Sequence, residues 1–397
     1  MMKSINHFVC FAVLLLTLVQ ASCDSYPNQP DAFEGSVWPT HTAVDYFNRF
    51  HAFTVGNDGL YTLDEMERRT VELIVNAENT IDVALEYFES ERIADALIAA
   101  AARGVSVKIV GDVDRRGQSG FRRIESAGLD VVYGDGEITW QAVFGRDLVY
   151  RQGEDNLMTH NFVIADRLRI VNLTGGFPLD GGESIQAGFI AASEDLVKDF
   201  GDCFDQLHGG IFSTAQTFFD DSVSADNNNR TSYAIEDGVM EAYFGPQERL
   251  VKEVIDRIYS ARSSVRIATI DLRNREMARA LRYKAASGFT VEIVLANESV
   301  IPLPGLDDIR INPNIDLTMI SIDGDAPNPG TVMVLSMPLF EAVPYYFEDA
   351  GEETPLPQPS DRFTDANMWV VEQNVINPND DYRNLATVAD ALYADGE

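Results

Sequence analysis

The sequence predicts a duplicated α/β protein, and three observations support this prediction. Residues 71–110 align with residues 255–294 without a gap. Both segments show the same succession of helical and strand-like apolar patterns. Gly104 and Gly288 fall at the same place in the two segments, directly after a predicted helix. Together these observations predict two similar halves within the 397-residue chain.

The first segment contains two helix–strand pairs. Residues 71–77 have apolar side chains at helical spacing, and residues 81–87 alternate as in a half-buried strand. Residues 93–100 return to helical spacing, and Gly104 follows, where the end of a helix favours a residue that tolerates positive φ. Residues 105–109 predict the second strand. Because a helix separates the two strands, they are expected to be parallel and covered by helices.

The second segment repeats this order. Residues 255–261 predict the first helix, and residues 265–269 predict the strand that follows it. Residues 277–284 predict the second helix, Gly288 its end and residues 291–295 the second strand. Outside the two segments, further strands are predicted at residues 129–133, 162–165, 169–173, 317–322 and 331–337.

The predicted domain organisation places the two halves at residues 61–220 and residues 241–397. A polar, asparagine-rich segment at residues 221–240 is predicted to link them. Residues 1–22 are predicted to be a secretory signal peptide, and the proline-containing residues 23–60 a tether. The protein is therefore expected to be exported.

The signal-peptide prediction depends on Lys3 and on the apolar run of residues 8–19, which is too short to span a bilayer. Two processing hypotheses remain open. Cys23 follows two small residues, as in a bacterial lipobox, and would then be the lipidated membrane anchor of an envelope lipoprotein. Alternatively, an ordinary signal peptidase cleaves after Ala21 and the protein is secreted. A disulfide between Cys23 and Cys203 is the alternative to lipidation.

The composition excludes several classes of function. The chain carries 63 acidic and 30 basic residues, a formal net charge of −33, so it repels polyanions and no nucleic-acid binding is expected. Only 5 of the basic residues are lysine, a bias that is as typical of a proteome living in salt as of a particular function. There is no Cys/His cluster for zinc and no glycine-rich phosphate loop, so no metal or cofactor is expected.

Three stretches of the first half, residues 81–112, 157–167 and 173–177, resemble a known family. Together with the repeat, they are similar to the phospholipase D superfamily. The resemblance implies a duplicated α-β-α sandwich whose two pseudo-twofold-related halves form one site. It also implies an H-x-K-x4-D motif in each half. One histidine attacks phosphorus, the other acts as acid and base, and the lysines hold the phosphate, without a metal.

The first motif is degenerate in this sequence. Aligned on Asp166, the histidine position of the family holds Thr159 and its lysine position holds Asn161. His160 lies one residue further along, where the alternation of a strand turns it to the opposite face. Thr174-Gly175-Gly176 lies near a step that touches phosphate in the family. The expected ligand-binding residues are therefore these three together with Thr159 and Asn161.

The second half is expected to lack the motif altogether. None of the five histidines follows His208. Residues 331–337 occupy the place where the second motif is expected to begin, and their pattern is that of a plain buried strand.

Two functional hypotheses follow from these observations. In the first, His160 and Asp166 are vestiges of a catalytic site, and the protein binds phospholipid or another phosphodiester without hydrolysing it. In the second, an active phosphodiesterase uses His160 together with its copy in a dimer, and arginines such as Arg115, Arg116 and Arg167 replace the missing lysine. The sequence does not determine the oligomeric state.

Overall fold

The structure, a computed structural model, separates residues 1–45 from a second unit, residues 46–397, which is compact. All described residues belong to the second unit. The predicted signal peptide, Cys23 and most of the predicted tether lie outside them. Among the described residues, no helix is long and apolar enough to cross a membrane. The described residues are 49–56, 61–134, 157–178, 184–212, 232–235, 238–245, 248–272, 274–297, 303–306, 308–324, 330–339, 366–372 and 385.

The first half is a sheet with helices packed against it. Its elements, in chain order, are β1 (Arg49–Val55), α1 (Leu63–Val75), β2 (Thr80–Leu85), α2 (Glu91–Ala102), β3 (Ser106–Gly111), a 3-10 turn (Val113–Arg115), α3 (Ser119–Ser126), β4 (Val131–Tyr133), β5 (Asn161–Ala165), β6 (Arg169–Leu173), β7 (Gln186–Ala192) and α4 (Glu194–His208). The seven strands form one sheet in the order β1-β7-β6-β5-β2-β3-β4.

The second half has the same construction. Its elements are β8 (Ser232–Ile235), β9 (Gly238–Gly245), α5 (Leu250–Ser260), β10 (Ser264–Thr269), α6 (Arg275–Ala286), β11 (Thr290–Leu295), β12 (Ile309–Ile311), β13 (Thr318–Ile322), β14 (Thr331–Leu335) and β15 (Ala366–Glu372). The eight strands form a second sheet in the order β12-β11-β10-β13-β14-β15-β9-β8.

The two sheets correspond strand by strand. Read from β4 to β1, the first sheet has the same order of equivalent strands as the second sheet read from β12 to β9. The β2/β3 and β10/β11 pairs are parallel, whereas β5 and β13 run antiparallel to their neighbours β2 and β10. The predicted duplicated α/β fold is therefore confirmed.

Two predicted boundaries need correction. Arg49–Val55 pairs with β7, so it belongs to the first sheet and not to a tether over residues 23–60. Its alternating Phe50 and Ala52 are typical of a strand, but the proline-containing context suggested a tether. Likewise, β8 and the start of β9 form a hairpin within residues 221–240, which the polar composition predicted to be a linker.

The inner faces of the two sheets share one hydrophobic core, and α4 completes it. Phe200 of α4 is fully buried and contacts rings of both sheets, with ring centroids 5.2 Å from Phe162 of β5 and 4.9 Å from Phe244 of β9. Trp369 of β15 packs against Phe189 of β7 at 5.5 Å. These aromatic contacts bury apolar surface between the two halves. Burial of apolar surface is the dominant favourable contribution to folding.

Equivalent helices of the repeat also begin in the same way. The side chain of Ser90 accepts a hydrogen bond from the backbone N–H of Ile93, and that of Asn274 accepts one from Met277, both at helix N-caps. Such caps satisfy a backbone donor that the first turn of a helix leaves free. The helices end before Gly104 and Gly288, which have φ values of +93° and +82°. The predicted glycine stops are therefore present in both halves.

Asp166 and Asp323 perform the same structural task in the two halves. The carboxylate of Asp166 accepts hydrogen bonds from the backbone N–H groups of residues 78–80, at 2.6 to 3.0 Å. That of Asp323 accepts them from residues 262–264, at 2.7 to 3.3 Å. Both residues lie in the left-handed region, with φ of 52° and 59°, which aspartate tolerates better than most residues. Each one fixes the loop before the central strand of its sheet.

The Asp323 contacts generate a stability prediction. Burial by itself raises the pKa of Asp323, but hydrogen bonds from the backbone of residues 262–264 and from the Ser263 hydroxyl outweigh burial and lower it. We expect Asp323→Ala to destabilise the protein by about 2–4 kcal/mol at pH 7, because hydrogen bonds to a charged acceptor and a favourable left-handed residue are both lost. Urea unfolding measures this difference.

Since the folded-state pKa is lowered, the contribution of Asp323 is complete above its unfolded pKa and disappears as the pH falls through the folded value. The difference between wild type and Asp323→Asn should therefore shrink at low pH. Asp256→Asn, on the exposed face of α5, is the control and should change stability by less than about 0.5 kcal/mol. Equal stability of wild type and Asp323→Ala at pH 7 would contradict the prediction.

Candidate functional site

A cavity of about 900 Å³ lies between the two halves. The carboxyl ends of β2, β6 and β14 and the residues preceding β5 and β13 open into it. Its lining combines carboxylates, hydroxyls and aliphatic side chains: Glu86, Tyr87, Arg115, Leu157, Thr159, Thr174, Gly175, Ser184, Ile270, Ala296, Asn297, Pro313, Asn314, Ile315, Asp316, Leu317, Thr318, Leu335, Ser336, Met337 and Pro338.

The strand registers identify which residues occupy equivalent places around this cavity. Phe162 of β5 pairs with Ala84, and Met319 of β13 pairs with Ala268, the repeat equivalent of Ala84. Asp166 and Asp323 follow the two strands and make equivalent contacts. The position of Thr159 in the first half is therefore that of Asp316 in the second.

The same register places the second motif. Thr318 is equivalent to Asn161, so Asp316, Thr318 and Asp323 occupy the histidine, lysine and aspartate positions of the resemblance. The prediction that residues 331–337 mark the start of this motif is wrong, because residues 331–335 form β14, the equivalent of β6, and the other two residues follow that strand. The shorter connection between β11 and β13 moves the motif to an earlier place in the sequence than the repeat spacing suggests.

Two hydrogen bonds related by the pseudo-twofold axis connect the motif positions across the cleft. Thr159 Oγ1 lies 3.3 Å from Ser336 Oγ, at the end of β14. Thr174, the equivalent of Ser336, donates from Oγ1 to the backbone carbonyl of Asp316 at 3.1 Å. The first position of each motif therefore contacts the opposite half, and the two half-sites form one continuous site.

Asn161 does not face the cavity. It is buried, and its Oδ1 accepts from the backbone N–H of Glu86 at 3.0 Å while its Nδ2 donates to the carbonyl of Thr174 at 3.0 Å. Thr318, at the equivalent position, shares a hydrogen bond of 2.8 Å with Thr269. The lysine positions of both motifs therefore hold side chains that bind the ends of neighbouring strands together.

Gly175 lets the two halves approach each other closely, and Gly176 allows a close approach within the first half. A Cβ on Gly175 would collide with Oδ2 of Asp316 and with the side chain of Gln186. Gly176 has φ of +68°, and a Cβ there would collide with Oδ1 of Asn161. Of the predicted ligand-binding residues, Thr159, Thr174 and Gly175 line the cavity, whereas Asn161 and Gly176 lie behind its wall.

His160 lies in the core between the sheets. Its ring is fully buried, its Nδ1 lies 3.0 Å from Nδ2 of Asn367 and its Nε2 lies 3.6 Å from Sγ of Cys203. Phe162 packs against it edge-on at 5.5 Å. Desolvation by burial lowers the pKa of His160 to about 3, so the imidazole is neutral at physiological pH. His160 and Asp166 do not meet: one is buried in the core, and the other follows the far end of β5.

Carboxylates dominate the charge around the cavity. Burial, together with the negative charges of Asp112 and Asp316, raises the pKa of Glu86 to about 8, although Arg115 opposes the shift. Burial also raises the pKa of Asp316 and that of Asp112, which accepts a hydrogen bond from the backbone N–H of Met158. The sequence did not draw attention to Glu86 or Asp316, although Asp316 precedes Asp323 at the family spacing.

Of the arginines proposed to replace the family's lysines, Arg115 alone lines the cavity. Its Nη2 lies 3.7 Å from Oε1 of Glu86. Arg116 pairs with Glu125 at 3.2 Å, and Arg167 pairs with Asp205 at 2.7 Å. Among the described residues, no group of three or more His, Cys, Asp or Glu side chains is arranged to hold a metal ion.

Comparisons with known proteins agree with this architecture. Residues 70–181 match the family model of the cardiolipin synthase, PLD-like domain. A polyphosphate kinase from Porphyromonas gingivalis aligns at 13% identity with a TM-score of 0.53, over 87% of this chain and 50% of that protein. A phosphatidylserine synthase from Haemophilus influenzae aligns at 12% identity with a TM-score of 0.53, over 87% of this chain and 86% of that protein. Nuc from Salmonella typhimurium, a phospholipase D family member, aligns with 41% of this chain at 18% identity with a TM-score of 0.30, over 95% of its own length. No curated protein sequence matches the chain.

The matched segment extends from α1 to the residues after β6 and contains the first motif. The fold and this match define a protein with two phospholipase D-like halves around one cleft. The family match covers residues 70–181, less than half of the chain, and shows a phospholipase D-like domain in the first half. At these identities the solved structures establish the fold alone, and the chain spans about half the length of the polyphosphate kinase.

The raised pKa of Glu86 generates a prediction about stability and pH. The folded protein holds a proton on Glu86 up to about pH 8, whereas the unfolded chain releases it near pH 4.3. Folding must therefore take up a proton on Glu86, and this requirement lowers the stability of the fold increasingly as the pH rises from about 4.3 to about 8. We expect Glu86→Gln to be more stable than wild type at pH 8.5, by a margin on the order of 3 kcal/mol, and equally stable at pH 4.

Thermal and urea unfolding across this pH range measure the difference. Glu91→Gln is the matched control, since the side chain of Glu91 is 66% exposed. A Glu86→Gln variant whose stability follows that of wild type at every pH would contradict the prediction.

Proposed function

We propose that the protein is an exported member of the phospholipase D superfamily that binds a ligand in the cleft between its halves without hydrolysing a phosphodiester. One observation carries the proposal. The four positions that hold histidine and lysine in the family motifs hold Thr159, Asn161, Asp316 and Thr318. None of these side chains is a nitrogen nucleophile, and none is a cation.

The chemistry of the family requires both groups. A histidine provides a nucleophile with a useful pKa, and removing a catalytic nucleophile typically costs about a millionfold in rate. A lysine neutralises the charge on the phosphate oxygens. Asn161 and Thr318 are neutral and bind other protein groups, so they do not supply this charge.

The alternative, an active phosphodiesterase that uses His160, is less well supported. Both ring nitrogens face protein groups, Asn367 and Cys203, and the ring is not part of the cavity lining. A second copy of the chain in a dimer would meet the same obstacle, because each imidazole would have to leave a packed core. A neutral, buried imidazole is more consistent with a structural role.

Export and membrane attachment belong to the same proposal. Residues 1–22 have the pattern of a signal peptide, and Cys23 that of a lipidated residue. Cys203 is fully buried on α4, with its Sγ 3.6 Å from Nε2 of His160, and this burial in the core favours lipidation of Cys23 over a disulfide between the two cysteines. One solved structure with this fold is a phosphatidylserine synthase, so phospholipid head groups are among the ligands to test.

The proposal that the protein does not hydrolyse phosphodiesters is tested by measuring turnover of a chromogenic phosphodiester. We expect no hydrolysis above buffer by the purified protein at high concentration, and the same result for His160→Gln. An active family member is the positive control, and circular dichroism verifies that the variant is folded. Hydrolysis by wild type that His160→Gln abolishes would refute the non-catalytic proposal.

The attachment part is tested by fractionation of the producing cells. We expect the wild-type protein in the membrane fraction and Cys23→Ser in the soluble exported fraction, because the variant lacks the thiol at the predicted lipidation position. Ser22→Ala is the matched control and should remain in the membrane fraction. A Cys23→Ser variant that remains in the membrane fraction would contradict the prediction.

A further inference from the structure

We propose that the cleft binds an organic cation, and that the carboxylates of Glu86 and Asp316 recognise its ammonium group. This inference depends on the proposed function, since it names the ligand class of the same cavity. It reverses the charge preference that the family motifs imply.

The first argument is the balance of charge within the cavity lining. Among the described lining residues, the ionisable groups are the carboxylates of Glu86 and Asp316, the phenol of Tyr87 and the guanidinium of Arg115. Arg115 is paired with Glu86. Asp316 has no ion pair in the described structure, and Ser184 Oγ, at 3.0 Å from Oδ2, supplies its one side-chain hydrogen bond. The cavity therefore has an unmatched carboxylate at the position that holds a histidine in the family.

The second argument is the environment of Arg115, which shows that this wall already accommodates a cation. The guanidinium carbon lies 4.2 Å from the centre of the Tyr87 ring, and Glu86 lies beside it. An aromatic face next to a carboxylate is an arrangement that attracts organic cations. An ammonium ligand can use the same carboxylate and, in addition, the unpaired Asp316.

The third argument concerns the parts of the cavity that carry no charge. Leu157, Ile270, Leu317 and Met337 contribute apolar surface next to the polar groups. A volume of about 900 Å³ holds a ligand far larger than an ammonium ion. The cavity therefore suits an ammonium group attached to a hydrocarbon or polyol body.

An anionic ligand lacks these advantages. Among the lining residues that the structure describes, a phosphate would meet two carboxylates and one guanidinium, which is shared with Glu86. The net charge of −33 adds a repulsive field around the whole protein. Two sources of the proposed ammonium remain to be distinguished: a free amine such as a diamine, and the head group of a phospholipid.

The experiment uses the full mature chain and calorimetric titration with three probes: putrescine, choline and glycerol 3-phosphate. The titrations are made at about 0.5 M salt, so that non-specific attraction of cations to the acidic surface is screened. Vesicles that contain phosphatidylethanolamine, with phosphatidylglycerol vesicles as their control, test the lipid source by sedimentation.

Three variants are expected to change the affinity for the cation, two by weakening it and one by strengthening it. At pH 9, where Glu86 is ionised, we expect Asp316→Asn and Glu86→Gln to weaken cation binding about tenfold each, because each removes a charged hydrogen-bond partner of the ammonium. Arg115→Gln should strengthen it several-fold, because the competing guanidinium is removed. Arg116→Gln is the matched control, since this neighbouring arginine pairs with Glu125 outside the cavity and should change nothing.

The pH dependence provides a further readout. Asp112, Arg115 and Asp316 are the charged groups that act on Glu86. As Glu86 ionises, putrescine binding should become tighter from pH 6.5 to pH 9, and Glu86→Gln should lose this dependence. A purely structural role of Glu86 would leave the affinity unaffected by pH.

Each outcome has a defined meaning. Cation binding whose affinity changes in the expected direction in each variant supports the inference. If the protein also binds phosphatidylethanolamine vesicles and Asp316→Asn weakens this binding, the lipid head group is the source of the ammonium. Binding of glycerol 3-phosphate that Arg115→Gln abolishes would overturn the inference but leave the proposed ligand-binding function intact. Cation binding that none of the variants changes, or no binding of any probe, would also overturn it. Hydrolysis of a phosphodiester would overturn the proposed function itself.

Discussion

The packing of the two sheets around α4 determines where every group of the cleft lies. Phe200 contacts aromatic side chains of both halves, and Trp369 packs against β7, so neither sheet can shift without disturbing the shared core. Protein interiors are densely packed and resist such shifts. The residues before β5 and β13 are thereby held opposite the ends of β14 and β6, where Thr159 meets Ser336 and Thr174 meets Asp316.

This arrangement separates structural from chemical roles within one motif. Asp166 and Asp323 fix the loops before the central strands, and that task does not depend on a phosphate or on a catalytic histidine. The fold therefore retains a reason for both aspartates after the nucleophile and the lysine are replaced. Asn161 and Thr318 also serve the fold, because they connect strand ends at the rim of the cleft.

Much of the fold could be predicted from the sequence, because apolar periodicity and glycine stops are local signals. The second motif could not be found in this way. The connection between β11 and β13 is shorter than its counterpart in the first half, so the repeat spacing no longer applies, and Asp316 has no histidine beside it to attract attention. Glu86 and Asp316 come from different halves and line the same cavity, and sequence periodicity contains no information about this tertiary arrangement.

The position of His160 shows how far strand alternation can be used. Strand alternation assigns Thr159 and Asn161 to one face of the strand and His160 to the opposite face. In the structure Thr159 lines the cavity and His160 lies in the core. By strand alternation alone, the side chain of Asn161 would also face the cavity. Its side chain instead turns back to the Glu86 N–H and the Thr174 carbonyl, because buried backbone groups at the strand ends need partners.

The acidity of the protein acts at two distances. Over the whole surface, the excess of carboxylates attracts any cation and repels any phosphate, an effect that salt screens and that confers little selectivity. Inside the cleft, desolvation by burial raises the pKa of Glu86, and the negative charges of Asp112 and Asp316 add to this effect, so Glu86 retains a proton near neutral pH. A positive ligand that enters can take the place of this proton, and its binding energy then includes the relief of repulsion among Glu86, Asp112 and Asp316. Selectivity for a cation would therefore depend on the buried carboxylates of the cleft, and the surface charge would mainly raise the rate at which cations reach it.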